Sequence, residues 1–269
     1  MLRGLASRSA LALSLLATLS CGSEQGDRRQ SIDVPSPAGK DKRFQDIGNP
    51  NGPDHVPHNT PDVRVSGAVV IAIDKFDETG NGKSQGTIYV QDINSREPYS
   101  GLSLFAPTFV PGNLHVEPGD VIDLRGTYQE NTTVPIPFAP GWFLPQLSQP
   151  TATFRFEHRV PDPVDIDIKE LEDFGTGRKW LNMIVRVKNV TVQRDVTTAG
   201  SGRASAELLP GKSPACEEPG IRPPTITNEL FDVGALNLKG GQTLKSLTGV
   251  VTFFCNLHIS PRSAADVEQ

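Results

Sequence analysis

The feature that most limits what this chain can fold into is an internal repeat. Val63-Arg-Val-Ser-Gly-Ala-Val-Val-Ile-Ala-Ile-Asp74 and Val185-Arg-Val-Lys-Asn-Val-Thr-Val-Gln-Arg-Asp-Val196 share an opening triplet and a strand-like pattern at an offset of 122 residues. Leu124-Arg-Gly-Thr-Tyr128 returns as Leu247-Thr-Gly-Val-Val251 at an offset of 123. A glycine-containing turn precedes each copy, Glu117-Pro-Gly-Asp120 in one and Lys239-Gly-Gly-Gln242 in the other. Two matches at nearly one spacing predict a duplicated unit.

Within the first copy, period-2 runs bounded by turn residues predict strands at 63–76, 86–93, 101–106, 119–130 and 151–158. The second copy predicts them at 182–196, 203–209, 224–231, 244–256 and 257–261, after a short helix around 166–174. Composition agrees: 36% hydrophobic residues with 25 Gly and 23 Pro is poor in long apolar periods and rich in turn residues, which favours an all-β chain. The first strand is long for a globular sheet. Gly67 sits in its first half, where a bulge could bend it across both halves of a small barrel.

The N-terminus reads differently. Arg3 and Arg8 precede the apolar run Ala10 to Leu19, matching the charged and apolar regions of a secretory signal, and the run is too short to span a bilayer. It ends in Leu19-Ser20-Cys21-Gly22, which resembles a bacterial lipoprotein signal, although Thr18 holds the slot three residues before the cysteine where Leu is usual. The resemblance implies removal of residues 1–20, lipidation of Cys21 and anchoring to the cell envelope; an ordinary signal peptide leaving Cys21 as a free thiol is the alternative. Two or three acyl chains, at about 0.8 kcal/mol per buried methylene, hold a protein stably on a membrane. Gly22 after the cysteine, in place of the Asp that commonly retains such proteins at an inner membrane, points toward the outer one.

Three cysteines in an exported chain leave one over unless one is modified. With Cys21 lipidated, Cys216 and Cys255 are left to pair in an oxidising compartment, two unpaired thiols being the alternative. From Gly22 to about Thr60 the chain is a Pro, Asn, Gly and Asp mixture with few aliphatic residues, read as a flexible tether. The expected organisation is a signal at 1–20, lipidated cysteine and tether at 21–61, and two domains at 62–158 and 159–269.

The long first strand, Ile88-Tyr-Val-Gln-Asp92, Pro118-Gly-Asp-Val121, Leu124-Arg-Gly126 and the closing Ile259-Ser-Pro-Arg-Ser-Ala-Ala-Asp266 resemble OB-like modules found in exported bacterial lipoproteins and beside extracellular nucleases. The resemblance implies two tandem OB-like five-stranded barrels. It speaks for fold; such modules often accompany a catalytic domain without being one.

Candidate chemistry is sparse. His55-Val-Pro-His58 is the one histidine pair with a metal-like spacing, but it has no nearby cysteine and reads as part of the tether. Asp74, Asp77 and Glu78 before Gly80-Asn-Gly82 lack the alternating acids of a calcium loop. Gly200-Ser-Gly202 is not a nucleophile elbow, and Gly175-Thr-Gly-Arg-Lys179 lacks the spacing of a phosphate loop. The signatures of thermonuclease-like enzymes are missing, so the expectation is a non-catalytic protein without metal or cofactor. The formal charge is -5, and without residues 1–20 it becomes -7, from 24 basic against 31 acidic residues. Such a surface disfavours nucleic acid as a partner.

What remains is a face. Alternation along 87–92 turns Ile88 and Val90 to one side and Tyr89 and Gln91 to the other; along 102–105 it turns Ser103 and Phe105 outward. Tyr89, Gln91, Ser103 and Phe105 would then share the sheet face on which OB-folds bind ligands, here an oligosaccharide or a protein. The alternative is that the second domain, or the segment 138–144 with Trp142, covers those rings. The functional expectation is a membrane-anchored binding module. The alternatives are an envelope scaffold or an accessory module of extracellular nuclease activity.

Overall fold

The computed structural model describes residues 41–76, 86–105, 115–132, 142–198, 202–211 and 222–269. Alternating apolar residues make β1 (Val63–Ile73), β2 (Ile88–Asp92), β3 (Gly101–Phe105), β4 (Asp120–Asn131) and β5 (Leu144–Glu157). These close into a barrel in the order β1-β2-β3-β5-β4, with β3 and β5 parallel and the other neighbours antiparallel. This is an OB barrel, all-β as the patterning predicts.

Closure depends on β1 serving two neighbours. It pairs with β4 over Val63–Val69 and with β2 over Ala68–Ile73. Between the pairs Val65↔Leu124 and Ala68↔Ile122, Ser66 and Gly67 face Asp123 alone, a bulge that bends the strand. Gly67 takes φ +70° there, which glycine adopts without a Cβ clash, and its N–H donates to Asp123 Oδ1 at 3.1 Å.

The segment 41–61, expected to be tether, belongs to the barrel instead. It carries α1 (Phe44–Gly48), and Phe44, Ile47 and Val56 are buried among Val63, Leu102 and Tyr128 of the barrel core. Its backbone is tied on: Tyr128 N–H donates to Thr60 O at 2.9 Å, and Glu130 N–H to His58 Nδ1 at 2.8 Å. Three isolated apolar residues in a Pro- and Asn-rich background have no period, so sequence pattern misses what their burial supplies.

The second lobe contains β6 (Val164–Asp165), α2 (Phe174–Gly177) between two 3-10 turns, β7 (Ile184–Thr191), β8 (Thr197–Thr198), β9 (Ala204–Glu207), β10 (Thr225–Thr227), β11 (Thr243–Phe254), β12 (Asn256–Ser260) and β13 (Val267–Glu268). The sheet order is β6-β7-β11-β12-β10-β9-β8, with β13 on β11. With β7 standing for β1, β9 for β2, β10 for β3, β11 for β4 and β12 for β5, this is the barrel's order, parallel pair included.

The repeat extends to single hydrogen bonds. Gly119 N–H donates to Val70 O at 2.8 Å and Asp120 N–H to Glu117 O at 3.0 Å; Gly241 N–H donates to Val192 O at 2.8 Å and Gln242 N–H to Lys239 O at 3.0 Å. All four residues, and their acceptors, lie 122 positions apart.

The expected second barrel, however, is an open sheet among the described residues. Where Asp123 stands alone between Ile122 and Leu124, Lys245 and Ser246 both stand between Leu244 and Leu247. β7 therefore pairs from Thr191↔Thr243 to Ile184↔Val250 with no register shift. Asn189, in the place of Gly67, keeps a positive φ of 51° but makes no bulge. The unbent strand ends at Thr191, and the backbone bond reaching β9 is Gln193 N–H to Glu207 O at 2.8 Å.

Candidate functional site

The alternation on β2 holds: Ile88 and Val90 enter the barrel core, and Tyr89 and Gln91 point the other way. That outward face meets the second lobe rather than solvent. Tyr89, 7% exposed, packs with Ile71 and Ala72 against Ile184 and Val250. Gln91 is fully buried; its Oε1 accepts from Ile184 N–H at 3.1 Å, and its Nε2 has no partner. Gln91 thus belongs to a seam between lobes, not to an open ligand face. At the same seam a Cβ on Gly101 would lie 2.3 Å from Asn182 O, so only glycine lets the backbones approach.

Beyond the seam the lobes part to form a cleft of about 360 Å³. Tyr89, Ser103 and Phe105 line it from β2 and β3, and Asn131 and Gln146 from β4 and β5. The second lobe contributes Asn182, Arg203, Glu229 and Phe254. Three of the four ligand residues expected from the sequence therefore share one cavity. Phe105 is 36% exposed and Phe254 43% exposed. Trp142 is half-buried against Phe174, with ring centroids 5.4 Å apart, and residues 138–141 of the segment expected to cover the rings lie outside the described residues.

The polar end of the cleft is a buried network. Glu229, 3% exposed, accepts from Arg203 Nη1 at 3.2 Å, from Ser260 Oγ at 3.0 Å and from Thr252 Oγ1. Asn256 Nδ2 donates to Pro223 O at 2.8 Å, which turns Asn256 Oδ1 toward His258 Nε2 at 3.0 Å and makes that nitrogen a donor. The other ring nitrogen, Nδ1, faces Glu229 Oε1 at 3.4 Å, where a proton on it would be attracted to the carboxylate. Burial opposes ionisation of Glu229, but His258, Thr252 and Arg203 outweigh it and hold the carboxyl at about 2. Arg203 is oriented by ring faces, its guanidinium carbon 4.6 Å from the Phe76 centroid and 5.7 Å from that of Phe254.

Elsewhere, His55 and His58 are fastenings of the N-terminal segment, not tether residues. His55 Nε2 lies 3.1 Å from Glu130 Oε1 and its ring packs beside Tyr128 and Phe143. No group of three potential metal ligands occurs among the described residues. Cys255 is buried at φ +66° between β11 and β12, and its side chain is engaged. Cys21, Cys216, Asp77 and Glu78 lie outside the described residues.

Asn182, Arg203, Glu229 and Phe254 went unread in the sequence. They enter through the packing of one lobe on the other, for which strand alternation carries no signal.

No family model matches the chain, and no curated protein matches it. Among solved structures it is similar to the crystal structure of wild-type single-stranded DNA binding protein from Thermus aquaticus, at 14% identity over 79% of this chain and 94% of that one, with a TM-score of 0.21. A superposition that loose carries no argument about ligand or partner.

Proposed function

We propose that this protein is an exported lipoprotein, anchored to the bacterial envelope, at the outer membrane, through lipid on Cys21, whose OB-like barrel and second lobe form a non-catalytic binding module. The observation that carries the binding reading is the pair Phe105 and Phe254: two exposed rings, one from each lobe, in a single cleft. Apolar rings left in water cost stability that burial elsewhere in the chain recovers, and a concave site is where such exposure serves a ligand. The anchor rests on the signal-like segment ending at Cys21.

A Cys216–Cys255 disulfide belongs to the same reading. Its support is the cysteine count and the engagement of Cys255. A crosslink closing a loop of this length contributes about 3 to 4 kcal/mol by chain entropy. The second functional reading is an envelope scaffold, favoured by the burial of Tyr89 and Gln91 in the seam.

The test has two arms. Cys21→Ala should move the protein from the membrane to the soluble fraction, and intact mass should place lipid on a mature N-terminus at Cys21. A chemically mixed fragment library screened by ligand-observed NMR should give hits that vanish in Phe105→Ala and Phe254→Ala. Hits indifferent to both substitutions would favour the scaffold.

A further inference from the structure

Resting on the binding-module reading, we propose that the cleft between the lobes is a site for neutral glycans, with Phe105 and Phe254 stacking on sugar rings and the Asn182 carboxamide bonding their hydroxyls. Among the described residues, the charged side chains lining the cleft are Arg203 and Glu229, and these are paired with each other at 3.2 Å. The carboxylate is further occupied by Thr252, Ser260 and the facing His258 ring, so neither charge is left to seek a counter-ion in a ligand. The cleft is electrically neutral within a chain of net charge -5. A phosphodiester would find one arginine already committed and a carboxylate beside it.

Asn182 supplies the polar recognition. It is 6% exposed, lines the cleft, and its carboxamide makes no hydrogen bond with the described protein. A carboxamide that both donates and accepts matches a hydroxyl, which does the same. Its backbone φ of 60° is one that asparagine tolerates, so position and side chain are compatible.

Other ligand classes fit less well. An extended peptide binds by adding a strand to a free sheet edge, and β2, β3 and β5, which wall the cleft, each already have two neighbours in the barrel. An acyl chain would desolvate the Asn182 carboxamide and the Arg203–Glu229 pair without returning a hydrogen bond. A pyranose offers an apolar face for a ring and hydroxyls for the amide.

The full-length protein should be titrated calorimetrically with chitotetraose, cellotetraose and maltotetraose, and in parallel with a heparin tetrasaccharide, a short apolar peptide and an oligothymidylate. The expected result is binding of a neutral tetrasaccharide that is unchanged between low and high salt. Phe105→Ala, Phe254→Ala and Asn182→Gly, the last keeping the positive φ while removing the carboxamide, should each weaken it by about tenfold or more with the thermal midpoint retained. If instead the heparin fragment, the peptide or the oligothymidylate binds and the same variants abolish it, the cleft stands as the site and the neutral-glycan assignment falls. If a neutral glycan binds and all three variants bind it equally, the cleft itself is the wrong site. Binding of no member of the panel overturns the glycan proposal.

Discussion

In the first lobe two residues of β1, Ser66 and Gly67, face the single Asp123, and the bent strand reaches both β4 and β2. In the second lobe the equivalent positions of β7, Lys188 and Asn189, run beside Lys245 and Ser246, the strand stays in register, and the sheet remains open toward β9. Strand order, parallel pair and turn hydrogen bonds are otherwise shared. What the comparison teaches is that closure of this fold depends less on which residues face inward than on whether one strand has an unmatched residue.

The largest effect should come from attacking that mismatch. Inserting Ala after Asp123 gives β4 the residue β11 already has, which should remove the bulge and cost on the order of 4 kcal/mol, beyond the usual range for a point change. The reciprocal deletion of Lys245 should cost no more than about 2 kcal/mol while slowing amide exchange at Gln193, as β7 bends toward β9. Denaturant midpoints and exchange rates of the two variants read this directly. An insertion that leaves the midpoint unchanged breaks the account.

A second contrast lies on the faces that the two sheets turn away from their apolar cores. The barrel's buries Ile71, Ala72 and Tyr89, whereas the second sheet's also buries Glu229 with Thr252, His258 and Ser260. Glu229→Gln should cost about 3 kcal/mol, because Arg203 loses its counter-charge and Thr252 and Ser260 lose a carboxylate acceptor in a buried site. The carboxyl sits near 2 when folded against an ordinary 4.5. A folded-state value below the unfolded one makes this contribution complete above about 4.5 and lost as pH falls toward 2. Unfolding free energies measured across that window should fall with acid in the wild type, and Glu229→Gln should flatten part of the slope. Parallel curves for the two proteins would show that the carboxylate is not what the acid reads.

The smallest effect separates the two left-handed positions. Gly67→Ala puts a Cβ where φ is +70° and should cost about 1 kcal/mol, while Asn189→Gly should stay within about 0.5 kcal/mol, since asparagine already tolerates that region. Equal costs in the two lobes would mean that the bulge adds nothing to the strain.

Much of this was legible in the chain. Alternation located β1 to β4, β7 and β9 to β12 within a few residues, and Gly67 marked the bend; the two-residue β8 was not read. Even the one-residue difference between lobes stood in the sequence, as offsets of 122 before and 123 after the inserted position. β5 was read too short because Pro145 and Pro150 look like strand breakers, yet the strand runs from Leu144 through both. The N-terminal segment was misread because Phe44, Ile47 and Val56 are too scattered to make a period. Tyr89, Ser103 and Phe105 were readable as one face, but the same alternation could not tell that Gln91 meets the second lobe.

The seam between lobes has one more consequence. The first lobe meets its neighbour with the outward side of β2 and β3; the second answers with Asn182, Ile184 and Val250, a different surface. Contacts of that head-to-tail kind can in principle be extended, one module stacking on the next, unless the trailing module presents a blocked surface. Here the side of β9 and β10 that corresponds to Tyr89 and Gln91 carries Ser205, Glu207, Thr225 and Thr227. Glu207 is held by Arg194, and Thr227 bonds Ser260 Oγ at 2.8 Å. Among the described residues this side of the second lobe thus carries small and polar groups, most of them hydrogen-bonded or ion-paired, where the first lobe offers Tyr89.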